Sequence, residues 1–327
     1  MIELNEVVSE IIKDDADKYD IDYVESGTLS MEEETGRINL MGKKDKSFML
    51  TGHAAQQFCK TYSIPYDFWV NKLDRYDKSY IFNKFVKDEK AFYLRCRKDG
   101  NGGHTDMIRA ILSDKFVPLD NRFVIEQIKE FADRSDYKIA NFNLDDDSLH
   151  LRMVMDSEKF NVGNDTEPDI WMFGIHISNS EVGKRSTAID GALFRLICEN
   201  GNVMMMDNKH FLNVMHRGET EEKFKEKFND AIWESISYVR NMQDGLKESM
   251  NVKLHEPSEN ILITSMENAK LSEAFIDEVV SEYKNNGNTL YSFVNALTLN
   301  AQKEDWDRRY DIEKLAGSWL AKPSIAA

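Results

Sequence analysis

The chain has 327 residues, with 58 acidic side chains against 42 basic ones, and a formal net charge of −16. A field of that sign repels phosphate on average and argues against indiscriminate binding to nucleic acid or anionic membranes, although one local basic face can still bind. Apolar residues make up 41% and only five residues are proline, so a folded core is expected, and no apolar run approaches the roughly 20 residues of a membrane span.

In chain order, the start Met1-Ile2-Glu3-Leu4-Asn5-Glu6 is amphipathic and acidic, without the basic-then-apolar order of a secretory leader. Thr28-Leu29-Ser30-Met31 and Arg37-Ile38-Asn39-Leu40-Met41 flank an acidic turn containing Gly36 and predict a hairpin. Helical periodicity follows from 52 to 88, broken at Ile64-Pro65. Two alternating strands, Ala91 to Arg97 and Thr105 to Leu112, enclose the turn Asp99-Gly100-Asn101-Gly102-Gly103. Phe123, Val124, Ile128 and Phe131 form one stripe of a helix from Asn121 to about Arg134, capped by Asp120 or Asn121.

Strands are expected at Tyr137 to Leu144, Leu149 to Met155 and Ile170 to Ser178, the first two joined by Asp145-Asp146-Asp147. Beyond Asn200-Gly201 the pattern turns helical. Phe224, Phe228, Ala231, Ile232, Ile236, Val239, Met242, Leu246 and Met250 recur at threes and fours and predict a helix of about 30 residues. Its stripe suits either a core or a subunit interface. Further helices are expected over 270–285, 288–303 and 308–321.

The fold class is therefore α+β: an antiparallel β-sheet core with packed helices and a mainly helical C-terminal region. The expected divisions are an N-terminal segment over 1–50, an α+β core over 51–213 and a helical region over 214–327. Cys59, Cys96 and Cys198 are far apart and outside any CxxC spacing, which predicts reduced thiols and a cytoplasmic location.

Three stretches carry a family resemblance. They are Arg109-Ala110-Ile111-Leu112-Ser113 running to Leu119-Asp120-Asn121, then Asn179-Ser180-Glu181-Val182-Gly183 with Arg195-Leu196-Ile197-Cys198-Glu199-Asn200-Gly201, and then Thr289 to Thr298 followed by Arg308, Arg309 and Ile312-Glu313. Together they resemble the phage- and plasmid-associated family known as domain of unknown function 932, from about residue 50 onward. The resemblance implies a mobile-element protein, with no catalytic residues to carry over. A more remote architectural similarity to Rad52-like single-strand annealing proteins implies a β-sheet core with helices and assembly into rings, a fold-level analogy that does not determine function.

Catalytic constellations are thin. His210 and His216 are six apart, not the i, i+4 of a helical metal pair, and no phosphate-binding loop or nucleophile motif is present. No metal or cofactor is expected. Asp145 to Asp147 suits either a solvated hairpin tip or, in a metal-dependent nuclease, a cation site.

Separating strand faces gives more. Phe92, Leu94 and Cys96 point one way, and Tyr93, Arg95 and Arg97 the other. Leu149, Leu151 and Met153 oppose His150 and Arg152, and Ile175 and Ile177 oppose His176 and Ser178. Cations beside rings are what a single-stranded nucleic acid needs. The expected contact set is Tyr93, Arg95, Arg97, Arg152, His176, Lys184 and Arg185, in a homo-oligomer that binds single-stranded DNA and promotes annealing or recombination without ATP. Arg109 suits a buried structural role. The rival reading that the acidic charge favours is a phage factor that binds a host defence protein.

Overall fold

The computed structural model describes residues 2–42, 47–88, 90–99, 105–132, 135–163, 166, 168–195, 203–205, 212–214 and 221–321. Cys198, His210, His216, Asn200-Gly201 and most of the 99–103 turn lie outside them.

The first part of the chain runs α1 (Leu4–Asp15), β1 (Lys18–Glu25), β2 (Leu29–Met31), β3 (Ile38–Leu40), β4 (Ser47–Leu50), α2 (Gly52–Thr61), α3 (Tyr66–Asn71), α4 (Arg75–Phe85), β5 (Ala91–Arg97) and β6 (Thr105–Ser113). Its six strands are ordered β1-β5-β6-β4-β3-β2. β4 pairs β6 in parallel, and every other pairing is antiparallel. A parallel pair needs a long crossover, which α2 to α4 and β5 supply. The first 50 residues thus contribute four of the six strands to the same sheet as β5 and β6.

The chain continues with α5 (Asn121–Ala132), β7 (Tyr137–Leu144), β8 (Leu149–Asn161), β9 (Ile170–Asn179), β10 (Thr187–Arg195), β11 (Val203–Met205) and β12 (Leu212–Val214). These strands form a second sheet, β11-β10-β9-β8-β7, with β12 also on β10, and all its pairings are antiparallel. Helices α6 (Glu221–Ser249), α7 (Glu256–Asn268), α8 (Glu273–Asn286), α9 (Leu290–Ala301) and α10 (Trp306–Ala321) complete the fold. The α+β class holds, with the correction that one of the two sheets is mixed. Among the described residues no helix is long and apolar enough to cross a membrane.

Apolar cores hold these layers, and each fully buried Leu or Phe adds roughly 1.5–3 kcal/mol. Phe48, Phe58, Phe82, Leu94 and Ile108 lie between the first sheet and α2 to α4, with Cys59 and Cys96 buried as free thiols. One face of the second sheet packs Leu151, Ile175 and Ile177 against α1, α5 and the first half of α6, through Phe224 and Phe228. The second half of α6 joins α7 to α10 through Met242, Leu246, Leu262, Phe293 and Trp319. Among the described residues the long-helix stripe is therefore packed into core along this chain. α10 can pass close to α6 because residue 245 is glycine, where a Cβ would lie 2.4 Å from the Leu320 carbonyl oxygen.

Candidate functional site

The alternation read from β5, β8 and β9 is correct, but the polar faces are not open. Arg95 is 4% exposed, and Arg152 and His176 are 0% exposed. Alternation distinguishes the two faces of a strand and says nothing about which is wet. The polar faces expected to contact nucleic acid instead form two buried polar seams.

The first seam lies between the two sheets and centres on Glu181, in the turn between β9 and β10. Its Oε2 accepts from Lys18 at 2.7 Å and from both terminal nitrogens of Arg109 at 3.3 Å. Its Oε1 accepts the Asn121 backbone N–H at 2.9 Å, so a carboxylate 60 residues away satisfies the first turn of α5. The side chains expected to cap that helix are engaged elsewhere: Asp120 pairs with Arg95 at 2.5 Å, and the Asn121 amide oxygen accepts from Asn179. Burial pushes the Glu181 carboxyl up, but Lys18, Arg109 and Arg95 outweigh it and hold it at about 2.

The rest of the turn is equally committed. The Val182 carbonyl accepts from Gln57 at 2.7 Å, and the Ser180 hydroxyl donates to the Asp147 carbonyl. Gly183 has φ +73°, and a Cβ there would meet Leu112 at 2.9 Å. Arg95 also reaches Asp20 and the Glu181 carbonyl, and the half-buried Tyr93 donates to Asp20. Arg97 bridges Asp14 at 2.5 Å and Asp146 at 2.7 Å. Tyr93, Arg95, Arg97 and Arg109 are thus brought together as a joint between layers.

The second seam lies where α10 covers the polar face of β8, β9 and β10. Arg152 pairs with Glu313 at 2.5 Å, Arg309 reaches the other Glu313 oxygen at 2.8 Å, and Tyr310 donates to Asp190 at 2.5 Å. The Tyr310 ring stacks on His176 with centroids 4.8 Å apart, and Trp306 lies 4.6 Å from the Arg152 guanidinium.

The histidine tautomers follow from the one donor-only group. Arg152 Nε donates to His176 Nδ1 (3.4 Å), so His176 carries its proton on Nε2 and donates to His150 Nδ1 (3.1 Å). His150 then donates from Nε2 to Asp307 Oδ1 at 2.9 Å. A directed chain of hydrogen bonds therefore runs from buried Arg152 through two neutral histidines to a carboxylate near the surface. Burial depresses His150 despite Asp307, and burial with the neighbouring His150 and Arg152 depresses His176 further. Burial, with the nearby Arg309 charge, outweighs the pull of Glu313 and brings Arg152 down to about 10, still cationic at neutral pH.

Asp307 is also held by Lys184 at 2.7 Å and Arg185 at 2.5 Å. Burial raises its carboxyl, but the bonds from His150 and Lys184 and the Arg185 charge bring it below its ordinary value. Beside this pair opens a cleft of about 520 Å³ between the start of β10 and the outer side of α10. Arg185, Lys314, Asp311 and the hydroxyl-bearing Ser178, Ser186 and Ser318 line it. It offers cations and hydroxyl groups at the mouth of the buried chain, the equipment for holding an oxyanion.

Of the expected contact residues, Arg152, His176, Lys184 and Arg185 converge here, while Tyr93, Arg95 and Arg97 belong to the other seam. The two seams meet at the acidic turn, where Asp146 pairs with Arg97 and Asp147 lies 3.4 Å from Lys184. Asp145 closes that turn by accepting from the Asp147 and Ser148 backbone N–H groups. Among the described residues no group of three His, Cys, Asp or Glu side chains is arranged to hold a metal ion. Sequence reasoning missed Asp307, Tyr310 and Lys314. The signal was present in Asp307, Tyr310 and Glu313, a polar stripe at threes along one helix.

The family model described as "Domain of unknown function (DUF932)" matches residues 110–319, which spans the second sheet, the Glu181 turn and α10. No curated protein and no solved structure matches the chain.

Proposed function

Since the chain belongs to the DUF932 family, a grouping that carries no assigned activity, we propose from the site itself that it is a mobile-element protein that binds single-stranded DNA in the cytoplasm of the host cell. It promotes annealing or recombination without ATP, as a homo-oligomer. The observation that supports this reading is the cleft at Arg185 and Lys314: in a chain of net charge −16, cations and hydroxyl groups gather at one opening. Backbone phosphate takes that opening, and complementary base pairing supplies specificity. Lys184 and Arg185 keep the role expected of them, whereas Arg152 and His176 act from behind by positioning Asp307 and the α10 face. Tyr310 is too buried to stack a base.

Titration of labelled single-stranded oligonucleotide into purified protein, with native mass measured in parallel, tests the proposal. Binding that weakens steeply with salt is expected, on a particle that is a multiple of the 37.9 kDa chain. A monomer that ignores oligonucleotide at low salt contradicts it.

A further inference from the structure

A second opening lies between α7 and α8. One stripe of α7 (Glu256, Glu259, Ile263 and Glu267) faces one stripe of α8 (Glu273, Ile276, Asp277 and Val280) across a groove of about 850 Å³. Its floor is apolar: Leu271 and Ile276 are buried, and Ile263 and Val280 are half-buried. Its rim carries the five carboxylates of Glu256, Glu259, Glu267, Glu273 and Asp277. Lys284 is the single cation in the lining, and it is committed to Glu259 at 3.3 Å.

We propose that this groove docks a lysine- or arginine-rich amphipathic helix of a partner protein. The length fits, because 256 to 267 spans roughly 17 Å at 1.5 Å per residue, which is three turns of a docked helix. The spacing fits, because apolar anchors at i, i+3, i+4 and i+7 seat on such a floor. Charge complementarity chooses the occupant. Five rim carboxylates attract a basic helix, steer its approach and repel both nucleic acid and a second copy of this acidic chain. The site is separate from the cleft at Arg185, so the two proposals stand or fall independently.

The probe is a labelled synthetic helix of about 14 residues, with leucine on one face and lysine on the other. It is titrated into the full chain at about 0.15 M salt and followed by fluorescence anisotropy. Two comparators are the same composition with the leucines scattered around the helix, and the same stripe with glutamate in place of lysine. The triple variant Glu267→Lys, Glu273→Lys and Asp277→Lys should weaken binding of the probe by about tenfold or more. The matched variant Glu3→Lys, Glu6→Lys and Glu10→Lys, with the same charge change at exposed positions on α1 and just before it, should change it less than about twofold. Equal weakening by both variants, or equal binding of the scattered peptide, overturns the proposal, as does failure of the basic helix to bind.

Discussion

Glu181 and Asp307 are each the acidic centre of a polar seam, and they differ in what lies beyond them. Around Glu181 everything is enclosed: its side chain is 2% exposed, and Lys18 and Arg109 are 5% and 3% exposed. Around Asp307, His150 is buried but the two cationic partners reach water, Lys184 at 40% and Arg185 at 17%. An enclosed cluster must satisfy itself, because a buried charge that loses its partner has no solvent to replace it. A cluster at the mouth of a cleft can exchange an internal partner for a ligand's phosphate. The first seam joins layers, and the second is where binding is proposed.

The largest expected effect follows from that difference. Glu181→Gln leaves Arg109 without its carboxylate and Lys18 with Asp14 alone, and it removes charge from the α5 terminus, so a loss of about 3–5 kcal/mol is expected in denaturant unfolding. Asp307→Asn leaves cations that can turn to water, and roughly 1–2 kcal/mol is expected. Equal losses would erase the distinction between the seams.

Acid separates the seams a second way. His150 and His176 are depressed below their ordinary value of 6.5, so the unfolded chain takes their protons first. The stability they contribute is complete above pH 6.5 and is lost as pH falls below it toward their lower folded values. Glu181 is held at about 2 against an ordinary 4.5, so its contribution is complete above pH 4.5 and is lost between 4.5 and about 2. That shift corresponds to on the order of 3 kcal/mol. Stability measured against pH should fall in two stages, and His150→Gln should shrink the upper stage and leave the lower one unchanged. A single fall below pH 4.5 in the unaltered protein would contradict the neutral histidine chain.

Much of the fold was legible because it is written in local periodicity. The stripe Phe123, Val124, Ile128 and Phe131 located α5, and the hairpin at Leu29 and Ile38 located β2 and β3. What escaped depended on distant pairing. β1 reads as polar, Lys18-Tyr19-Asp20-Ile21-Asp22, because its polar side chains meet the Glu181 seam and β5, far along the chain. β10 was hidden because Asp190-Gly191 interrupts its apolar run, and that aspartate is needed by Tyr310, 120 residues later. The site was half legible for the same reason. Arg152 and His176 were visible as the polar side of strands, but the helix that covers them lies more than 100 residues away, and strand alternation carries no trace of it.

The smallest expected effect on stability is at Lys314 in the cleft lining and at Lys184 beside it. Lys184→Glu combined with Lys314→Glu should shift unfolding by less than about 1 kcal/mol, since both side chains reach solvent. The same variant supplies the most direct measurement of the central claim, the slope of log affinity for single-stranded oligonucleotide against log salt. Relative to the unaltered chain, the double variant should lose affinity and flatten the slope by about 2, one for each lost phosphate contact. Lys98→Glu, an exposed position at the end of the first seam's β5, should leave the slope unchanged. A slope that ignores Lys184 and Lys314 but flattens with Lys98→Glu would contradict the assignment of binding to the α10 cleft.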